Sequence, residues 1–155
     1  MSWFNLHGFL FVLIILIPNI LFSVTRQDGF QNKYHNKTAA VLEQLGRFGC
    51  FGFMFLSIPV VCRGFWFHGA DSVYLISGAC LVLLYCLGWI VFWKEDSVKK
   101  ALTLSILPSL LFLESGIVTC NLPLIFFAVI FAVCHITISY KNAVLSGKHT
   151  DSLTH

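Results

Sequence analysis

Five apolar stretches, each close to 20 residues long and nearly free of charge, dominate this sequence. They run from about Trp3 to Val24, Leu45 to Cys62, Ser72 to Trp93, Ala101 to Val118, and Leu122 to Tyr140. A helix rises 1.5 Å per residue, so a run of about 20 residues matches the roughly 30 Å hydrocarbon of a bilayer. Only a helix or a closed barrel satisfies its backbone in lipid, and runs of this length favour helices. The expected fold is therefore all-α, a polytopic transmembrane bundle of about five spans. Residues 1–145 form its single domain, and a short polar cytoplasmic tail, 146–155, is expected to be disordered beyond Gly147. Composition agrees. Charged residues make up 11% of the chain, against roughly 25% in a soluble domain.

The fourth and fifth stretches nearly merge. The break between them is Thr119-Cys120-Asn121-Leu122-Pro123. Asn121 can cap a new helix, and proline is tolerated in a first turn because no N–H is needed there. A tight helical hairpin is expected. Pro18, Pro59 and Pro108 fall inside spans one, two and four, where each removes a backbone hydrogen bond. The first stretch is expected to be a retained span and not a cleaved leader. No Lys or Arg precedes Arg26, and Leu21-Phe22-Ser23 is a poor cleavage site.

Loop charges set the expected orientation. Arg26, Lys33 and Lys37 lie between spans one and two; Lys94, Lys99 and Lys100 lie between spans three and four; Lys141 and Lys148 lie in the tail, and Arg47 sits just inside span two. The opposite side holds Arg63 alone. Basic residues stay on the cytoplasmic side, which puts the N-terminus outside and the C-terminus inside, with the cell membrane as the expected location. Trp3, Trp66, Trp89, Trp93 and Tyr140 lie near the expected interfaces. The sequon Asn36-Lys37-Thr38 then faces inward and is silent; Asn36 or Thr38 instead caps a short helix, Ala39 to Gln44, feeding span two.

The polar residues at depth carry whatever chemistry the chain has. Glu43 and Arg47 are spaced i,i+4 and suit a structural ion pair. Gly46, Gly49 and Gly52 follow them and permit close approach of a neighbouring helix or a second copy. Glu114 lies about a turn from the outer end of span four, with Ser105, Ser109 and Gly116 on the opposite face. Its expected neighbours are Arg63, Asp71 and Asn121, with His7 and His68 nearby. His135, on a stripe with Ala128, Phe131, Ala132 and Ser139, is expected to face protein, with Asn19 as its partner. Tyr74, Gly78, Leu81, Tyr85 and Gly88 form a packed stripe on span three, where Tyr85 needs a partner for its hydroxyl. The candidate ligand or proton residues are thus Glu114, Arg63, Asp71, Asn121, His135 and Asn19.

Several function classes are not supported. The six cysteines form no CxxC pair, so no metal site or cofactor is expected, although Cys62 and Cys120 both fall near the outer surface, where a disulfide is chemically allowed. No nucleophile elbow, phosphate loop or dinucleotide fingerprint is present. A net charge of +3 gives no nucleic-acid footprint. The partner implied is the lipid bilayer, with a homo-oligomer or a membrane-complex partner also compatible. The leading expectation is a transport or small-ligand-binding membrane protein. A non-catalytic accessory or assembly subunit of a larger membrane complex comes second, and a lipid-modifying membrane enzyme third.

Overall fold

Four of the five helix starts are capped by short polar side chains, and the fifth, that of the helix beginning at Ala70, by Gly69 at φ 90°. A computed structural model describes residues 3–25, 34–58, 62, 64–95 and 97–151, with side chains to 146. Helix α1 is Leu6–Thr25, α2 is Lys37–Phe55, α3 is Ala70–Val91, α4 is Val98–Val118 and α5 is Leu122–Asp151. Asn5 accepts the Gly8 N–H at 3.1 Å, Asn36 that of Ala39 at 3.1 Å, Ser97 that of Lys100 at 3.2 Å, and Asn121 that of Leu124 at 3.1 Å. Each bond satisfies one of the donors left open at a helix N-terminus. The turn before Asn121 passes through Cys120 at φ 48°, so the expected hairpin between α4 and α5 is present.

The helices form a closed ring. α1 packs on α2 and α3, α3 on α4, α4 on α5, and α5 back on α2, with a slighter contact between α2 and α4 across the middle. Neighbours around the ring run antiparallel except α1 and α3, which lie parallel: their starts meet through Asn5 and Tyr74 and their ends through Phe22 and Trp89. At one end, Asn5 donates to the Phe55 carbonyl at 2.7 Å, Ser57 to that of Trp3 at 3.0 Å, and Cys62 bridges to Asn121. At the other end, the Tyr34 N–H reaches Asn142 Oδ1 at 2.8 Å, and Phe22 meets Trp89 and Trp93. Between the ends, Phe11, Ile15, Cys50, Met54, Leu111, Phe112, Leu124 and Phe131 fill the interior.

The outside is as apolar as the inside. Ile17, Ile20, Leu21 and Val24 of α1, Ile76, Leu83 and Ile90 of α3, and Phe126 and Val133 of α5 all face outward. Soluble proteins rarely expose contiguous apolar surface beyond a few hundred Å². α1, α3, α4 and α5 are each long and apolar enough to cross a membrane. α2 is not among them, because Lys37, Glu43, Gln44 and Arg47 occupy its first half. One face of that half, at Glu43 and Gly46, is covered by α5, which runs antiparallel beside it.

Three expectations need correction. Span two was expected over 45–62 with a separate helix before it; instead one helix runs from Lys37 to Phe55. Glu43 and Gln44 cause no break because good helix formers surround them. The helix stops early because Leu56 is extended, and Ile58, which precedes Pro59, is sterically biased the same way. Pro59 itself, with its expected kink, lies outside the described residues. Finally, span five was expected to end at Tyr140, whereas α5 continues to Asp151. Lys141, Ala143 and Leu145 are good helix formers, and Asn142 is tied to Tyr34.

Candidate functional site in two polar layers

The layer near the basic end is built on a close approach of α2 and α5. A Cβ on Gly46 would lie 2.8 Å from the Phe131 backbone nitrogen, and one on Gly49 would lie 2.3 Å from the Phe127 ring. Gly52 meets nothing within 4 Å, so only the first two glycines serve this seam. One turn before Gly46, Glu43 is buried at 6% exposure. Its Oε1 accepts from Arg47 Nη2 on the same helix and lies 3.0 Å from His135 Nδ1 on α5. With Glu43 ionised against Arg47, Nδ1 carries the hydrogen in that contact. The His135 ring stacks on Phe131, centroids 4.6 Å apart.

Asn19 does not meet His135. It donates to the Tyr85 hydroxyl at 2.8 Å and to the Ile15 carbonyl at 2.8 Å, joining α1 to α3. Ring order explains the correction. α1 and α5 are not neighbours, so each polar group finds its partner on the helix beside it. The result satisfies the buried Tyr85 hydroxyl, whose stripe partners Tyr74, Gly78 and Gly88 are buried too.

The other layer centres on Glu114 of α4. Its Oε1 lies 2.5 Å from Ser77 Oγ on α3, and Ser77 Oγ lies 2.5 Å from the Val73 carbonyl one turn back. Oε2 is buried and has no hydrogen-bond partner among the described residues. Tyr74, one turn along α3, is in electrostatic reach of Glu114, and its hydroxyl accepts from Asn5 Nδ2 at 3.1 Å. The opposite face of α4 packs as its small residues require. Ser105 and Ser109 are buried, and a Cβ on Gly116 would meet Ile125 at 2.8 Å.

The expected outer set does not gather around Glu114. Asn121 is buried but committed, capping α5 and donating to the Phe53 carbonyl at 2.8 Å. Asp71 stands exposed in the first turn of α3, as do His7 and His68 elsewhere at this end. Arg63 lies outside the described residues. The groups that do meet Glu114 are Ser77 and, beyond it, Tyr74 and Asn5, none of which was singled out as a site residue. Ser77 carried a usable signal, being a hydroxyl three residues after Tyr74 and next to Gly78 on the stripe expected to be packed. Lys100, which by sequence is one of the charges between spans three and four, is also drawn in. It is buried, donates to the Glu95 carbonyl at 2.9 Å, and lies 4.3 Å over the Phe22 ring.

The six cysteines are free thiols. Cys62 pairs through its backbone with Asn121, and its thiol is not bonded to that of Cys120. Among the described residues no three His, Cys, Asp or Glu side chains converge as metal ligands would. The chemistry present is therefore that of two carboxylates in different states of satisfaction. Glu43 has two partners, both at Oε1, whereas Glu114 has one partner at Oε1 and a buried Oε2 with none among the described residues. No protein-family model, no curated protein and no solved structure matches this chain.

Proposed function

We propose that this chain is an integral membrane protein of the cell membrane that crosses the bilayer five times, N-terminus outside, and binds or moves a small ligand at Glu114. Four helices of sufficient length and apolarity support the membrane assignment, and the antiparallel course of α2 along α5 supports a fifth crossing. Lys37, Lys94, Lys99, Lys100 and Lys141 collect at one end of the ring, as the charge rule requires of the cytoplasmic side.

The observation that carries the ligand-binding role is the unpartnered Glu114 Oε2. A polar atom left unsatisfied inside a bundle costs about 1–3 kcal/mol, more if charged, and by default an ionisable group at such depth marks a site. The test is thermal unfolding of purified protein in detergent, with added sodium, potassium or methylammonium and over a series of buffer pH values. At least one of these variables should shift the wild-type midpoint, and Glu114→Gln should abolish that shift. Identical responses from both proteins would remove Glu114 as the binding group.

A second role, as an accessory subunit of a membrane complex, is favoured by a different observation. Glu43, His135, Asn19 and Asn121 each hydrogen-bond a group on a neighbouring helix. That is the pattern of a rigid scaffold. Copurification of a defined partner in mild detergent, unaffected by Glu114→Gln, would favour this role over the first.

A further inference from the structure

We propose that α1 and α2 part in the inner half of the bundle to form a water-filled vestibule, which opens at the basic end and admits small anions to Arg47. This rests on the five-crossing reading of the chain and is independent of Glu114.

Depth is the first observation. A Cβ on Gly46 would press on the Phe131 backbone, so Arg47, the next residue, leaves α2 at about the level of Phe131. Phe131 is the midpoint of the apolar run from Leu122 to Tyr140, nine residues from either end. At 1.5 Å per residue that is about 14 Å from each end of the run. Arg47 is therefore too deep to reach lipid headgroups with its side chain. Yet that side chain is 34% exposed. A guanidinium stays charged, and a charge near the bilayer centre faces the bundle interior or water rather than hydrocarbon.

The second observation is where α1 and α2 separate. Among the described residues their hydrogen bonds and ring contacts lie at the outer end. Phe4 pairs with Leu56, Asn5 donates to the Phe55 carbonyl, Phe9 meets the Phe55 ring at 5.8 Å, and a Cβ on Gly8 would collide with the Met54 carbonyl. Further in, each helix is drawn away from the other. Gly46 and Gly49 seat α2 on α5, while Asn19 and Phe22 tie α1 to Tyr85 and Trp89 of α3. Burial follows the same course. Val12, Leu16, Asn19 and Ser23 continue the Gly8 face of α1 at steps of three and four residues. Gly8 and Val12 are buried, Leu16 is half-buried, and Asn19 and Ser23 are exposed. On α2, Met54 is buried, but Arg47, two turns back on the same face, is not. These faces turn polar where they lose cover, and polar groups left bare border water at less cost than hydrocarbon.

The lining selects negative charge. Glu43 engages Arg47 through Nη2, and the guanidinium carries further N–H groups with no other partner among the described residues. Arg47 is within electrostatic reach of Tyr85, whose hydroxyl accepts from Asn19 and has its own hydrogen to give. Lys37, Lys94 and Lys99 stand exposed at the basic end and outnumber Glu95 beside them. A positive opening with low-dielectric walls concentrates anions. The ligand class is a small carboxylate or phosphate, which accepts from a guanidinium edge.

Thiol reagents of opposite charge test this on the full-length chain in inside-out membrane vesicles. Single cysteines replace Leu16, Ser23, Ile17, Leu21 or Lys94 in a cysteine-free background. Methanethiosulfonates attack the ionised thiol, which water permits and lipid suppresses. Leu16→Cys and Ser23→Cys should react, and the outward-facing Ile17→Cys and Leu21→Cys should not. At Leu16→Cys the anionic sulfonatoethyl reagent should outpace the cationic trimethylammonium reagent severalfold, relative to a free thiol, and Arg47→Gln should abolish that preference. Should Arg47→Gln fail to fold, inorganic phosphate decides: it should slow the anionic reagent at Leu16→Cys, equally with and without anionic lipid in the vesicles. Equal rates for the two reagents would overturn anion selection, as would slowing that needs anionic lipid and ignores free phosphate. A silent Leu16→Cys beside a reactive Lys94→Cys would overturn the vestibule and leave the five crossings standing. Equal reaction at Ile17→Cys and Leu16→Cys would instead take α1 out of the bilayer and remove the crossing reading itself.

Discussion

Alanine at Gly46, Gly49 and Gly52 should give three different results from one chemical change. At Gly46 the new Cβ would sit 2.8, 2.9 and 3.0 Å from the N, Cα and Cβ of Phe131. Ordinary carbon contacts begin near 3.5 Å, so α2 and α5 must separate by about 0.5–1 Å, and the obstacle is backbone that cannot rotate away. Overpacking of this kind costs about 1–3 kcal/mol. The His135–Glu43 contact, 3.0 Å long and one turn away, would be stretched toward or past hydrogen-bonding range. Losing it adds about 1 kcal/mol, while the better helix propensity of alanine returns a similar amount. Gly46→Ala should therefore destabilise by about 1–3 kcal/mol. Gly49→Ala meets only the Phe127 ring, which stacks on Phe53 and can swing, so its cost is smaller. Gly52→Ala meets nothing and should stabilise by about 0.5–1 kcal/mol. Unfolding in detergent followed by circular dichroism measures the order, and alkylation of the fully buried Cys50 reports opening of the bundle. A Gly46→Ala protein as stable as wild type, or Gly52→Ala as the worst of the three, would refute the α2–α5 geometry.

Tyr85→Phe should cost about 0.5–1.5 kcal/mol by removing the acceptor of Asn19, and Asn19→Ala on that background should add little; fully additive losses in the double-mutant cycle would show that the two do not interact. Arg47→Ala leaves Glu43 buried with His135 alone. Because Arg47 is about a third exposed, the loss should be about 1–3 kcal/mol, below the roughly 3–5 of a fully buried pair. Acidification should shrink that loss, since a neutral Glu43 no longer needs the guanidinium, and a loss independent of pH would count against the pair.

The helices were readable because lipid demands long apolar runs and because Asn36 and Asn121 announce helix starts. The α4–α5 turn followed from the Asn121–Pro123 spacing alone. The length of α2 was not readable in that way. Its first half is too polar for a span, and only its contact with α5 explains why one helix runs through it. The polar partners were legible one residue at a time but not as pairs. Glu43 and Arg47 share a helix, so their spacing predicts the contact. His135, Asn19 and Glu114 reach across helices, and their partners depend on ring order, which no local pattern encodes. Asn19 thus turned out to serve Tyr85, and Glu114 to meet Ser77 in place of the expected Asn121 and Asp71.

The central claim is a chain that threads the bilayer five times with its N-terminus outside. Single reporters in a cysteine-free background test it most directly, at Trp3→Cys, His68→Cys, native Cys120, Lys94→Cys and Ser146→Cys, labelled on intact cells with a membrane-impermeant maleimide. The first three should label from outside, and the last two only after the membrane is permeabilised. Labelling of Ser146→Cys from outside together with Trp3→Cys would mean an even number of crossings and would contradict the account.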